Sequence, residues 1–158
     1  CNAKVNDSCG FHVHMDAASF NLDTWKNLAL TYKHLEHLID AFMPRTRRNN
    51  TYCKTLSGVS DERIKSVRTI DGLREVFNND RYHKVNFEAY SRHRTVEFRQ
   101  HSGTTNFTKM ENWIRFLNGL ITFAKRSSLP SRMTLEGLPF LDGKQKLFFK
   151  LRTKKLAV

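Results

Sequence analysis

The sequence predicts an α+β fold: an antiparallel sheet with an open polar face and helices packed on its other face. Three observations predict it. Phe11, Val13 and Met15 alternate with His12, His14 and Asp16. Far along the chain, Val96 and Phe98 alternate in the same way with Thr95, Glu97 and Arg99. Period two is the pattern of a half-buried strand. Two longer segments instead repeat apolar residues at three- and four-residue steps, the period of an amphipathic helix.

Composition bounds the rest. At 158 residues the chain is long enough for one domain with one core, and it carries no internal repeat or low-complexity linker. Hydrophobic content of 39% with twelve Phe argues for a globular fold, while the apolar runs fall far short of the ~20 residues of a membrane span. No secretory leader is read ahead of the first strand. Three cysteines, Cys1, Cys9 and Cys53, are too sparse for a disulfide scaffold, so reduced thiols near the core and a cytoplasmic location are expected. Twenty-seven Lys and Arg against fifteen acids give a net charge of +12. That balance attracts polyanions, whether nucleic acid, nucleotide or an acidic protein surface, and charge alone does not choose among them.

In chain order, residues 1–8 read as a polar lead-in with a turn at Asn6-Asp7. Asn21 or Asp23 caps a helix running to about Met43, with Trp25, Leu28, Tyr32, Leu35, Leu38, Ile39 and Phe42 on its apolar side and Pro44 as its stop. His34 and His37 on that helix are expected to be solvated. Arg45, Arg47 and Arg48 follow without an acid between them, which suits either phosphate contacts or a solvated loop.

Residues 60–77 read as one or two short helices with a break at Asp71-Gly72, and Asn78-Asn79-Asp80 as a turn. Lys84 to Tyr90 alternates again, which points Val85, Phe87 and Ala89 inward and Lys84, Asn86 and Glu88 outward. Ser91-Arg92-His93 is short enough to join this segment to the Glu97 strand as a hairpin, setting Asn86 beside Glu97. Thr105 or Asn106 caps a helix over about 108–126, ended by Leu129-Pro130. Residues 1–130 are thus expected to form one α+β domain and 131–158 a basic C-terminal extension. After a turn at Asp142-Gly143 that extension carries six cations and no acid, reading as an amphipathic helix, an edge strand or a solvated terminus.

Neighbouring strands lie about 4.8 Å apart, so the outward residues of the two signature strands can share one site. Neutral imidazoles beside Glu97 make a cation site, and Arg99 suits a phosphate or carboxylate. His12-x-His14 also fits half of a zinc site, with His101 or Asp16 as a third ligand.

Four ordered motifs narrow the choice: Asn6 to His14, Pro44 to Asn49 with Tyr52-Cys53, Arg81-Tyr82 with Asn86, and Thr95 to Thr104. Over about residues 2–126 they resemble the amidoligase family, grouped with glutamine synthetase and glutamate-cysteine ligase among the ATP-dependent carboxylate-amine ligases. The resemblance implies a partial glutamine synthetase-like catalytic sheet that phosphorylates a carboxylate with ATP and lets an amine displace the phosphate, with Mg²⁺ or Mn²⁺. It implies that His12 and Glu97 bind metal, that His14 approaches the nucleotide phosphates, and that Arg99 acts with Glu97 at the transferring phosphoryl group. It assigns Arg47 and Arg48 to ATP phosphate or an acidic substrate. Small-molecule or peptide carboxylates and amines are the implied substrates, and the superfamily's rings and dimers imply an oligomer.

The family also draws carboxylates from a Gly-Val-Glu-Ile-Glu strand, and none stands ahead of Cys1. Glu97 is the one carboxylate matched, half a cluster. The basic balance therefore supports an alternative, a repurposed binding module for nucleic acid or a nucleoprotein, of phage or mobile-element type.

Overall fold

The computed structural model describes residues 3–6 and 8–157, so Cys1 and the Asp7 half of the expected turn lie outside the described residues. The two signature segments are neighbours. Strand β1 (Val13–Asp16) pairs antiparallel with β3 (Thr95–Phe98), whose other edge takes β2 (Val85–Asn86). The register sets Val13 opposite Phe98 and His14 opposite Glu97, so one choice of parity fixes both faces. Val13, Val85, Val96 and Phe98 are buried, whereas His12, His14 and Asp16 are exposed.

Helix α1 (Leu22–Ala41) covers the apolar face. Asn21 caps it by accepting from the Thr24 N–H at 2.9 Å, and the chain leaves it at Phe42, just before Pro44. Tyr32 lies against Phe98 with ring centroids 6.0 Å apart, and Trp25 meets Phe87 and Tyr90. Helix α5 (Phe107–Ala124), capped by Asn106, packs beside α1 and adds Trp113, Phe116, Leu117 and Leu120 to the same core. Each such side chain stabilises the fold by about 1.5–3 kcal/mol through burial.

Several expectations need correction. Only Val85–Asn86 of the third alternating segment is strand; the chain then turns into α4 (Ala89–His93), which closes on Arg94 at φ 56. Lys84, expected outward, is 1% exposed, with its ammonium 2.9 Å from Asp40 Oδ1 and 3.2 Å from Glu36 Oε2. Two carboxylates on α1 make its burial tolerable. Glu88 likewise turns to Arg74.

The break in the following helical region falls at residues 67–69, between α2 (Asp61–Ser66) and α3 (Ile70–Val76). The Thr69 hydroxyl accepts from the Gly72 N–H at 2.9 Å, so Asp71-Gly72 sit in the first turn of α3. His34 and His37 are half-buried ties, not solvated side chains. His34 reaches Leu129 O at 2.6 Å and Asp61 Oδ2 at 2.8 Å, and His37 reaches Met133 O at 3.1 Å.

The basic tail is helical. Helix α6 (Gly143–Leu156) starts from a reciprocal cap between Asp142 and Gln145. Its Phe149 enters the core, 4.4 Å from Phe42 and 5.4 Å from Phe116 between ring centroids.

Candidate active site

The outer face of the sheet gathers three of the expected residues, His12, His14 and Arg99, around Glu97. Its Oε2 accepts from His14 Nε2 at 2.7 Å, and its Oε1 accepts from Arg99 Nη1 at 2.6 Å. An ionised carboxylate only accepts, so His14 carries a proton on Nε2; its Nδ1 lies 2.8 Å from the Thr95 hydroxyl. Arg99 is held from further sides. Its Nε donates to Tyr52 O at 3.4 Å, and its guanidinium carbon lies 5.3 Å from the centroid of Tyr82. Nη1 makes a long 3.5 Å contact with His12 Nδ1, which can only accept from a guanidinium.

Charge and burial set these groups. Burial pushes the Glu97 carboxyl up, but the Arg99 hydrogen bond and the charges of Arg99, His14 and His12 outweigh it and hold the group below its ordinary range. For His12, burial and then the Arg99 charge press the imidazole below its usual value, against the opposite pull of Glu97. Near neutral pH the site thus pairs an ionised Glu97 with an uncharged His12.

The two neighbouring arginines assigned by resemblance part company. Arg47 lies in a 3₁₀ turn (Arg45–Arg47) and is 3% exposed. Its Nε donates to Gln100 O at 3.2 Å and its Nη2 to Arg99 O, bracing the backbone beneath the Arg99 side chain. Arg48 turns away, donating from Nε to Met43 O at 3.1 Å and lining a different cavity beside α1. Arg47 is therefore buried support, and Arg48 faces a second surface. Gln100 continues the support inward: its Oε1 accepts from Tyr32 Oη at 2.6 Å and its Nε2 donates to Asp40 Oδ1.

Beside His14, Glu97 and Arg99 opens a cavity of about 610 Å³. Sequence reasoning gave no role to Arg81, Arg92 or His93, which also line it. Arg81 lies over the Tyr82 ring at 4.8 Å and donates to its hydroxyl at 2.6 Å, and the His93 ring stands edge-on to His14 at 5.7 Å. Arg81-Tyr82 was visible as a motif; Arg92 and His93 read only as a connector, because α4 was not foreseen. Asn86 does lie opposite Glu97, as the hairpin predicts, with its Oδ1 accepting from the Glu88 N–H.

Among the described residues no three His, Cys, Asp or Glu side chains converge to hold a metal. Both Glu97 oxygens already have partners, and His12 Nδ1 faces Arg99. Asp16 Oδ1 caps the turn at Ala18, and His101 packs in the core against Phe11 and Trp113, so neither completes a zinc site. Mg²⁺ demands near-octahedral oxygen ligation. With one carboxylate, these residues do not fit Mg²⁺ by themselves.

A family model described as "Putative amidoligase enzyme" matches residues 2–121. The chain belongs to that family. No curated protein and no solved structure matches it. The amidoligase match takes in the whole Glu97 group, β1 through β3 and most of α5, while α6 lies beyond it. No helix among the described residues is long and apolar enough to cross a membrane.

Proposed function

We propose that this amidoligase is an ATP-dependent carboxylate-amine ligase working through an acyl-phosphate. A substrate carboxylate oxygen attacks the γ-phosphorus and the bond to ADP breaks. The amine then attacks the acyl carbon, phosphate leaves with the C–O electron pair, and the nitrogen sheds a proton to leave the amide. One observation carries the reading: Arg99, anchored by Glu97 and Tyr82, stands at a cavity also lined by Arg81 and Arg92. Fixed guanidinium groups are what the charge on a transferring phosphoryl group needs, because they stabilise it without reorganising.

In this reading Glu97 orients Arg99 and His14, His14 faces the nucleotide phosphates, and Arg47 holds the Arg99 backbone from below. The family's chemistry calls on ATP with Mg²⁺ or Mn²⁺, whereas both Glu97 oxygens are already taken by His14 and Arg99. A reducing cytoplasm suits the two described thiols: Cys9 and Cys53 are free, and burial pushes the Cys53 thiol up to about 11.

The test is ADP release by the purified chain, given ATP and either divalent cation with a panel of amino acids and acidic peptides. Carboxylate-dependent release is expected, falling at least about a hundredfold in Arg99→Gln. A folded chain that releases no ADP with any pair overturns the proposal.

A second reading, a basic binding module for nucleic acid or a nucleoprotein, draws on α6. Lys144, Lys150, Lys154 and Lys155 are exposed there and no acid interrupts the helix. Phosphate contacts release counterions, so affinity would fall steeply with salt. Neutralising Lys144, Lys146, Lys150, Arg152, Lys154 and Lys155 should flatten that dependence; unchanged affinity removes α6 from it.

A further inference from the structure

A cavity of about 720 Å³ lies on the polar flank of α1 and shares no lining residue with the one beside Arg99. Its innermost charges do not pair one to one. Lys84 sets one ammonium between two carboxylates, Glu36 and Asp40. Glu36 is fully engaged: Oε1 accepts from the Leu56 N–H, and Oε2 from the Thr55 hydroxyl and Lys84. Asp40 is not. Its Oδ1 takes both Lys84 and Gln100, while Oδ2 has no hydrogen-bond partner among the described residues and the side chain is 27% exposed. A surplus negative charge at the edge of the interior is costly unless a cation joins it.

Other residues lining the same cavity offer the opposite chemistry. Arg132 is exposed with no hydrogen bond or ion pair among the described residues, and Arg48 spends only Nε, on Met43 O. Guanidinium groups with free N–H edges suit a carboxylate. A bare amine would leave both arginines unused, and a phosphate would face the Asp40 carboxylate.

We propose that this cavity binds a zwitterion of amino-acid or dipeptide size, its ammonium on Asp40 Oδ2 and its carboxylate on Arg48 and Arg132. The volume falls in the range of small-molecule sites. The inference does not rest on the ligase reading, since this binding needs neither ATP nor a divalent cation.

Calorimetry and amide NMR on the full chain without nucleotide test it, using L-glutamate and glycylglycine, with ethylamine and acetate at matched ionic strength. Saturable binding of a zwitterion is expected, with shifts at Thr55, Ser57 and Asp61 and at least a tenfold loss in R48Q/R132Q. Arg132→Gln alone alters an exposed side chain, so it keeps the fold and should weaken binding measurably. Absence of saturable binding, equal binding of acetate or ethylamine, or shifts centred on His14 and Arg81 would each overturn the proposal.

Discussion

Gly10 stands so close to His12 that a Cβ added there would lie 2.7 Å from His12 Nε2, and 2.9 Å from Arg47 Nη2. Both atoms are the far ends of side chains and can give way, so overpacking in Gly10→Ala should cost about 1–3 kcal/mol and leave the fold intact. The groups that must move are nevertheless the imidazole beside Arg99 and the brace beneath it. We expect ADP release to drop at least tenfold while the circular dichroism spectrum is unchanged. Wild-type turnover in Gly10→Ala would show that the placement of His12 and Arg47 does not matter to the reaction.

Glu97→Gln keeps the shape of the side chain but removes one acceptor. Both Glu97 oxygens accept from N–H groups, so a glutamine must turn its own amide donor toward either His14 or Arg99. Releasing one of them should lower ADP release about a hundredfold and cost about 1–3 kcal/mol of stability. The pH dependence carries a definite sign. Because the folded carboxyl is held below its ordinary value, its stabilisation is present above the usual carboxylate range and lost as pH falls through the folded value. Denaturation midpoints measured from pH 6 downward should therefore fall less steeply in Glu97→Gln than in the wild type.

His101 supplies a second acid-sensitive group. Burial between Phe11 and Trp113 lowers its imidazole from 6.5 to about 4, so the folded state refuses a proton that the unfolded chain accepts. Stability is full above pH 6.5, declines as pH falls through the window, and levels off below about 4. At ~1.4 kcal/mol per pH unit the loss amounts to about 3–4 kcal/mol. His101→Phe keeps the ring packing and gives up the 2.7 Å contact with Ser102 O. Urea denaturation at pH 7.5 and 4.5 should then show a smaller gap between the two midpoints than in the wild type. An unchanged gap would mean that other groups carry the acid sensitivity.

Much of this site was legible because strands report parity directly. The alternation around His12 and Glu97 put the right side chains on the polar face, and the register then brought His14 opposite Glu97, but Glu97 and Asn86, expected outward, are buried there under their neighbours. What was not legible depended on partners distant in sequence. Alternation assigned Lys84 to solvent because it cannot register the carboxylates of Glu36 and Asp40, which lie 48 and 44 residues away. Arg47 and Arg48 read as one motif, yet a 3₁₀ turn sends one beneath the sheet end and the other to a separate cavity. Arg92 and His93 stayed hidden until α4 replaced the expected strand end.

Lys84 carries the sharpest stability prediction. Lys84→Met removes the ammonium shared by Glu36 and Asp40 and leaves the buried Glu36 carboxylate without its cation, which should cost about 3–5 kcal/mol. Asp40→Asn keeps an acceptor for Gln100 while removing one of those charges. The double variant Lys84→Met with Asp40→Asn should therefore be more stable than the sum of the single losses by at least ~1 kcal/mol, because the sites share one ion cluster. Strict additivity would mean that the ammonium and the carboxylates do not depend on one another. The chain from Asp40 through Gln100 to Arg47 ends at the backbone of Arg99. The same variants should accordingly lower ADP release even at temperatures where they remain folded.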